Sequence, residues 1–582
     1  MNDNLDLRRR ALVKGVAAAS LLPVLGSNLM GCSDSSDRRI PDQAPEPGPV
    51  GVAAEFRHGV ASGDPTTDRV ILWTRVTPDE PGFVEVEWEV AAEEDFSTIL
   101  ASGSGTTDEA VDFTVKVDVT GLAAGTAYFY RFRVRDRVSE VARTRTAPAG
   151  ATASAAFAVV SCSNYPTGYF NVYREVAQQP VDAVLHLGDY IYEYAPGGYA
   201  SANAEALGRV VEPATEILTL ADYRTRYAQY RSDPDLQAAH AAHPFIVVWD
   251  DHEIANDTWR EGAENHDQET EGEFSARRAA AIQAWYEWLP VRPPTSTAEI
   301  IYRRLPYGDL LDLIMLDTRV IGRDQQFVYP DFVNGGIIDV DATRAAVGDS
   351  GRTLLGAQQL AWLEEQLAGS TARWQILGQQ VLMGRYALPS PILEALEPSI
   401  GGDDTLAAGT AAVLAAVAAK NKAPGDRTLE EQMLLDSAIP YNLDAWDGYD
   451  FERNRVLDFV AQLGSRLVVL AGDTHNAWAS QLRSSTGEVV GVEFATASVT
   501  SPGLDAVLGA DAAALFAPLM SVLVDDLVYA NFLDRGYLTV AFAEDAVTAE
   551  WRYVSTIDST DYVENEAAFQ RRVVQRADLV LS

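Results

Sequence analysis

Six short apolar runs, at residues 157–160, 183–187, 245–249, 313–316, 375–377 and 467–470, constrain most strongly what this chain can fold into. Each lacks the polar alternation of a strand with one wet face, so each implies a strand covered on both faces. Helical stretches lie between them, among them 276–288 and 357–367, and this alternation predicts an α/β architecture. Residues 537–554 alternate like a hairpin, and 322–349 and 388–442 read as insertions near strand ends. No internal repeat is present.

The texture is different upstream. Between 55 and 147 the pattern is short strands of period two, at 84–90, 111–119 and 128–134, with turns at Pro81-Gly82 and 121–125. Thr120-Gly121-Leu122 leading to Thr126, Tyr128 and Tyr130 resembles the corner of a fibronectin-III-like sandwich. A small β-sandwich is therefore expected over 55–147. A small-residue linker follows, and then a catalytic domain over 156–582. Residues 33–54, rich in Asp, Ser, Pro and Gly, read as a flexible tether.

The charge balance narrows the function. Lys and Arg number 45 against 84 Asp and Glu, a net charge of −39. Such a surface repels polyanions and excludes a general nucleic-acid-binding role, while it favours divalent cations. Over residues 1–32, Arg8-Arg9-Arg10-Ala11-Leu12-Val13-Lys14 and the apolar stretch after it resemble a twin-arginine export signal. The translocase that reads such signals is the implied partner, and the implied location is extracytoplasmic. Leu29 and Gly31 before Cys32 resemble a lipoprotein cleavage box, with Met30 an unusual occupant, so Cys32 is the expected lipidation site. The apolar stretch is too short for a membrane span.

Chemistry-bearing residues follow directly on the apolar runs. Cys162 ends Val159-Val160-Ser161-Cys162; Asp189 and Tyr192 have D-x-x-Y spacing; Asp251 and His252 follow Trp249; Asp473 and His475 have D-x-H spacing. In α/β folds, sites form outside the carboxyl ends of the strands, so these loops are expected to converge. A thiolate, a phenolate, carboxylates and imidazoles together suit a metal centre. Cys162 and Tyr192 are strongly donating and favour Fe(III), whereas the oxygen-rich Asp251 and Asp473 side favours calcium or another hard divalent ion. Asp189 can bridge two ions.

With these motifs, the chain resembles the alkaline phosphatase D (PhoD) family of calcineurin-like metallophosphoesterases. The resemblance also rests on Leu187-Gly188-Asp189-Tyr190-Ile191-Tyr192-Glu193, Val248-Trp249-Asp250-Asp251-His252-Glu253, Leu316-Asp317-Thr318-Arg319, Asp444-Ala445-Trp446-Asp447 and Gly472-Asp473-Thr474-His475 in that order. It implies a four-layer α/β/β/α metallophosphoesterase sandwich. It implies Fe(3+) held by Cys162, Asp189, Tyr192 and His475, with Ca(2+) held by Asp189, Asp251 and Asp473. Gln380 matches the place of a further divalent-ion ligand. The implied activity is hydrolysis of small phosphate esters through a metal-bound hydroxide by a monomeric enzyme. His252 either protonates the leaving oxygen or supports the ligands. Arg319 either grips phosphate or pairs with Asp317, and Asp250 and Glu253 orient their neighbours. A phosphodiesterase or phospholipase D-type hydrolase on the same centre remains an alternative, as does a non-catalytic, lipid-anchored metal-binding surface protein.

Overall fold

The strands expected from the six apolar runs all form, and they divide between two large sheets. The computed structural model describes residues 51–294, 299–396, 400 and 405–581. The expected export signal, Cys32 and most of the tether lie outside the described residues. We label the six strands β1 (Ser154–Val160), β2 (Ala183–His186), β3 (Pro244–Val247), β4 (Leu311–Met315), β5 (Trp374–Gly378) and β6 (Leu467–Ala471). Every residue of β2 to β6 is buried, which is why their sequences read as unbroken apolar runs.

β1, β2 and β3 pair in parallel at the centre of a nine-stranded sheet. β4, β5 and β6 pair in parallel within a seven-stranded sheet. The two sheets face each other across one core. Phe157 of β1 meets Tyr307 edge-to-face at 5.0 Å, and Trp551 Nε1 on the first sheet donates to Ala495 O on the second at 2.8 Å. Alternation along β4 sorts its two faces. Leu311, Leu313 and Met315 pack into the core shared with the first sheet, whereas Ile314 packs with Leu360, Leu363 and Leu367 of the helix Gly356–Gly369. Helices Leu220–Arg231, Pro234–Ala242 and Phe274–Trp288 pack with the first sheet's core, and Asp450–Leu463 and Ala510–Leu523 with the second's. The result is the α/β/β/α sandwich.

The N-terminal strands form the expected sandwich with one difference. Val84–Ala91, Ile99–Thr107, Ala127–Val134 and Ala142–Arg145 make one sheet, and Tyr128 Oη accepts from Ala123 N at 2.8 Å as a tyrosine corner does. The facing sheet is not separate. Val60–Gly63, Arg69–Arg75 and Thr114–Thr120 continue the nine-stranded sheet, with Ser62 and Gly63 in parallel register with Pro244 and Phe245 of β3. The tether is also shorter than expected, because Ala54 is already paired in strand Ala54–Glu55. Among the described residues no helix is long and apolar enough to cross a membrane.

Candidate metal centre

Each proposed ligand lies a few residues beyond the carboxyl end of a central strand, and the backbone there is unusual. Cys162, Asp189, Asp473 and His475 all have left-handed φ angles, between 55° and 63°. Non-glycine residues avoid this region, and such strain gathers at functional sites. The loops are laced together: Cys162 N donates to Gly188 O at 3.2 Å, Ser163 N to Asp189 O at 2.8 Å, and Gly472 N to Gln380 O at 2.7 Å. Gly188 permits the closest approach. A Cβ there would lie 2.3 Å from Asp250 Cβ and 2.6 Å from Asp250 N, at a φ of +104°.

Three groups of ligand atoms result, each within 4.8 Å of one another: Cys162 with Asp189 and His475, Asp189 with Asp251 and His252, and Asp250 with Asp251 and Asp473. Asp189 belongs to two of them. Tyr192 joins the first group, its hydroxyl donating to Asp189 Oδ2 at 2.9 Å and lying 3.3 Å from His475 Nε2. Ser501 Oγ donates to the same phenol at 2.6 Å. Nδ1 of His475 donates to Pro502 O at 2.7 Å, which leaves Nε2 as the ligating nitrogen. Burial is the first cause pushing the Cys162 thiol, the Tyr192 phenol and the Asp189 carboxyl well above their ordinary ranges, and Asp189 adds to the effect on the other two. Burial, with Asp444 and Asp251 adding and Arg319 opposing, raises Asp473 to about 7. Asp189 Oδ1 and Asp250 Oδ2 are buried without any hydrogen-bond partner. Orphaned carboxylate oxygens beside a thiol and a phenol fit metal cations, which would favour the anionic form of every one of these groups.

Around this centre Gln380 and Arg319 are engaged with protein groups. Gln380 is buried and its amide is fully engaged. Oε1 accepts from Thr318 N at 3.2 Å and Thr318 Oγ1 at 2.7 Å, and Nε2 donates to Trp249 O at 2.6 Å and Leu316 O at 3.2 Å. It braces the ends of β3, β4 and β5. Arg319 is likewise buried with all three nitrogens committed: Nε to Asp250, Nη1 to Asp444 at 2.8 Å, and Nη2 to Asp473 at 2.8 Å. It aligns the three carboxylates. The Asp317 carboxylate accepts instead from the backbone N–H groups of Arg319 at 2.9 Å and Val320 at 2.8 Å.

Glu253 is the orienting group expected, its carboxylate accepting from the backbone N–H groups of Asp189, Tyr190 and Asp250. His252 stands over Tyr192 with ring centroids 4.2 Å apart. Its Nδ1 donates to Glu193 Oε2 at 2.7 Å, and Glu193 Oε1 accepts from Asn256 N and Asn265 Nδ2, each at 2.8 Å. Burial opposes charge on this imidazole, but Glu193, Asp251 and Asp189 outweigh it and raise its pKa well above the usual histidine value. The sequence reading gave Glu193 no role, although its place four residues after Asp189 was a usable signal. Ser501 and Asp444 were also missed; Asp444 lay inside a quoted motif, and Ser501 had no signal at all.

The family model for PhoD-like phosphatases matches residues 157–551, and that for their N-terminal domain matches residues 43–148. The chain belongs to the PhoD-like phosphatases. Alkaline phosphatase D of Bacillus subtilis (strain 168) is 37% identical over 466 residues, covering 77% of this chain and 70% of that relative. A solved structure of PhoD superposes with a TM-score of 0.72 at 31% identity, covering 92% of this chain and 93% of that one. As a PhoD-like phosphatase the chain is a hydrolase of phosphoric esters, and the strand-end cluster is its candidate active site.

Proposed function

We propose that this chain is an exported, metal-dependent phosphoesterase that hydrolyses phosphate monoesters, with Fe(III) on Cys162, Asp189, Tyr192 and His475 and Ca(II) on Asp189, Asp251 and Asp473. One observation carries the reading: Asp189 is shared by two ligand groups of different chemistry, one with the Cys162 thiol, the Tyr192 phenol and His475, the other with Asp251 and His252, and Asp251 in turn is shared with the group that holds Asp473. Two adjacent cations, when bound, neutralise phosphoryl oxygens and activate water. The chain's own residues do the rest. Arg319 holds Asp250, Asp444 and Asp473 in one array, and Glu253 fixes the backbone from which Asp189 and Asp250 project. His252, with Nδ1 committed to Glu193, presents Nε2 to the departing alkoxide and delivers the proton. The leader supports export by the twin-arginine route and anchoring through a lipidated Cys32.

Metal analysis of purified protein, run beside hydrolysis of a monoester and a bis-ester chromogenic substrate, tests the centre. The expected result is iron with calcium and faster monoester turnover. A colourless, active protein containing only zinc would overturn the metal assignment. Fractionation of a Cys32→Ser variant tests the anchor, which is rejected if that protein stays on the membrane.

A further inference from the structure

Two aromatic rings beside the centre take no part in ligation or in proton transfer. Tyr199 is 36% exposed, yet its ring lies nearly parallel to those of Tyr192 and His252, at centroid distances of 6.1 and 6.5 Å and interplanar angles of 18° and 14°. The Tyr194 ring is 5.8 Å from that of Tyr199 and 5.5 Å from His252. Tyr199 is held in place. Its hydroxyl donates at 3.2 Å to Pro502 O, the carbonyl that also receives His475 Nδ1, and Ser201 Oγ closes the loop on Gly198 O at 2.8 Å. The ring therefore lies against the site at a fixed tilt, with part of its surface exposed.

The position of the acid gives these rings a meaning. A leaving oxygen that takes its proton from His252 must lie beside that imidazole, so the alcohol attached to it extends outward past Tyr194 and Tyr199. We propose that Tyr199, flanked by Tyr194, is a leaving-group platform that selects phosphate esters whose alcohol carries a flat, unsaturated ring over esters of polyols. This rests on the phosphomonoesterase reading and names the substrate class for the same site. A π face recognises a planar ring with little regard to its hydrogen-bonding edges, so the preference is for planarity rather than for one base or one aryl group.

Adenosine 5′-monophosphate and ribose 5-phosphate test it, because both release a ribose 5′-hydroxyl and differ in the ring. Wild type is expected to have the lower KM for the nucleotide. Tyr199→Ala is expected to raise that KM by about fivefold to 150-fold, the range of one base–aromatic stack, while the KM for ribose 5-phosphate moves by less than about twofold. Tyr199→Phe keeps the platform and should keep the preference; Tyr199→Leu keeps the bulk and should lose it. Iron content, measured on each variant, shows whether the centre is intact. Equal KM values for both substrates in wild type overturn the platform. So does a Tyr199→Ala variant that loses kcat equally on both, which would mean that Tyr199 only steadies Pro502 and His475. If wild type hydrolyses neither monoester, the monoesterase reading fails on its own. The same comparison on the methyl diesters of the two compounds then decides the platform.

Discussion

Glu193→Gln removes one negative charge from a fully buried pair while keeping size and shape. The structure leaves the new amide no comfortable orientation. If its oxygen faces His252 Nδ1, its NH₂ faces the donors Asn256 N and Asn265 Nδ2. If it turns over, the NH₂ faces Nδ1 and only a neutral imidazole fits. In the first case the ion pair with His252 becomes an imidazolium–amide hydrogen bond, a loss of about 1–1.5 kcal/mol, and the stranded donors cost about 1–3 kcal/mol more. In the second case the imidazolium is lost as the acid, whose whole contribution is about 10²- to 10⁴-fold. The first route predicts a fall in kcat of about five- to twelvefold for an alkyl phosphate, and the second a fall of about 10²- to 10⁴-fold. For 4-nitrophenyl phosphate the fall should stay within about threefold, because that leaving group needs little protonation. Steady-state kinetics on both esters, with metal content and melting temperature recorded for the variant, make the measurement. An equal fall on both esters, with metal retained, would refute the role of the pair at the leaving oxygen and assign it to binding of the phosphoryl group.

Gly188→Ala should lower the melting temperature and release metal, since its Cβ would lie 2.3 Å from Asp250 Cβ in the loop that carries Asp189; an unchanged melting temperature would show that the loop can move aside. Tyr192→Phe should remove visible absorption from the iron-loaded protein without unfolding it, and retained colour would exclude the phenolate as a ligand. Burial lowers His186 to about 3, and burial with Arg75, Arg231 and Arg57 lowers His58 to about 3. The unfolded chain takes up these protons near pH 6.5 while the folded one does not, so stability is full above that pH. It declines toward pH 3 by about 1.4 kcal/mol per pH unit for each histidine. Denaturant midpoints at pH 7 and pH 4.5 should show this, and replacing both histidines by glutamine should flatten the decline.

Local pattern made the strands legible because burial on both faces leaves a direct trace in sequence. β5 and β6 exceed their runs by a residue or two, whereas the run at 245–249 carries Val248 and Trp249 past the end of β3, since both are buried in the loop. Ligand positions were legible for the same reason: a polar residue just after an apolar run marks a strand's carboxyl end. What pattern cannot carry is partnership. Nothing local shows that Arg319 spends its guanidinium on Asp250, Asp444 and Asp473, nor that Gln380 spends its amide on Thr318 and Trp249. Tyr199 reads in sequence as one more loop aromatic, and its meaning comes from where the fold sets His252. The joining of Val60–Gly63 to β3 is similarly invisible, because period-two patterning reports a wet and a dry face but not the neighbour across the ladder.

That joined sheet bears on how the protein comes to be folded at all. β3 finds its neighbour Val60–Gly63 early in the chain, but the free side of β1 is covered only by Gly536–Ala543. Until those late residues arrive, β1 offers a bare row of backbone donors and acceptors to any other extended chain. A polypeptide ended just before Gly536 would contain every ligand, the acid and its carboxylate partner, and still be expected to aggregate through that uncovered edge.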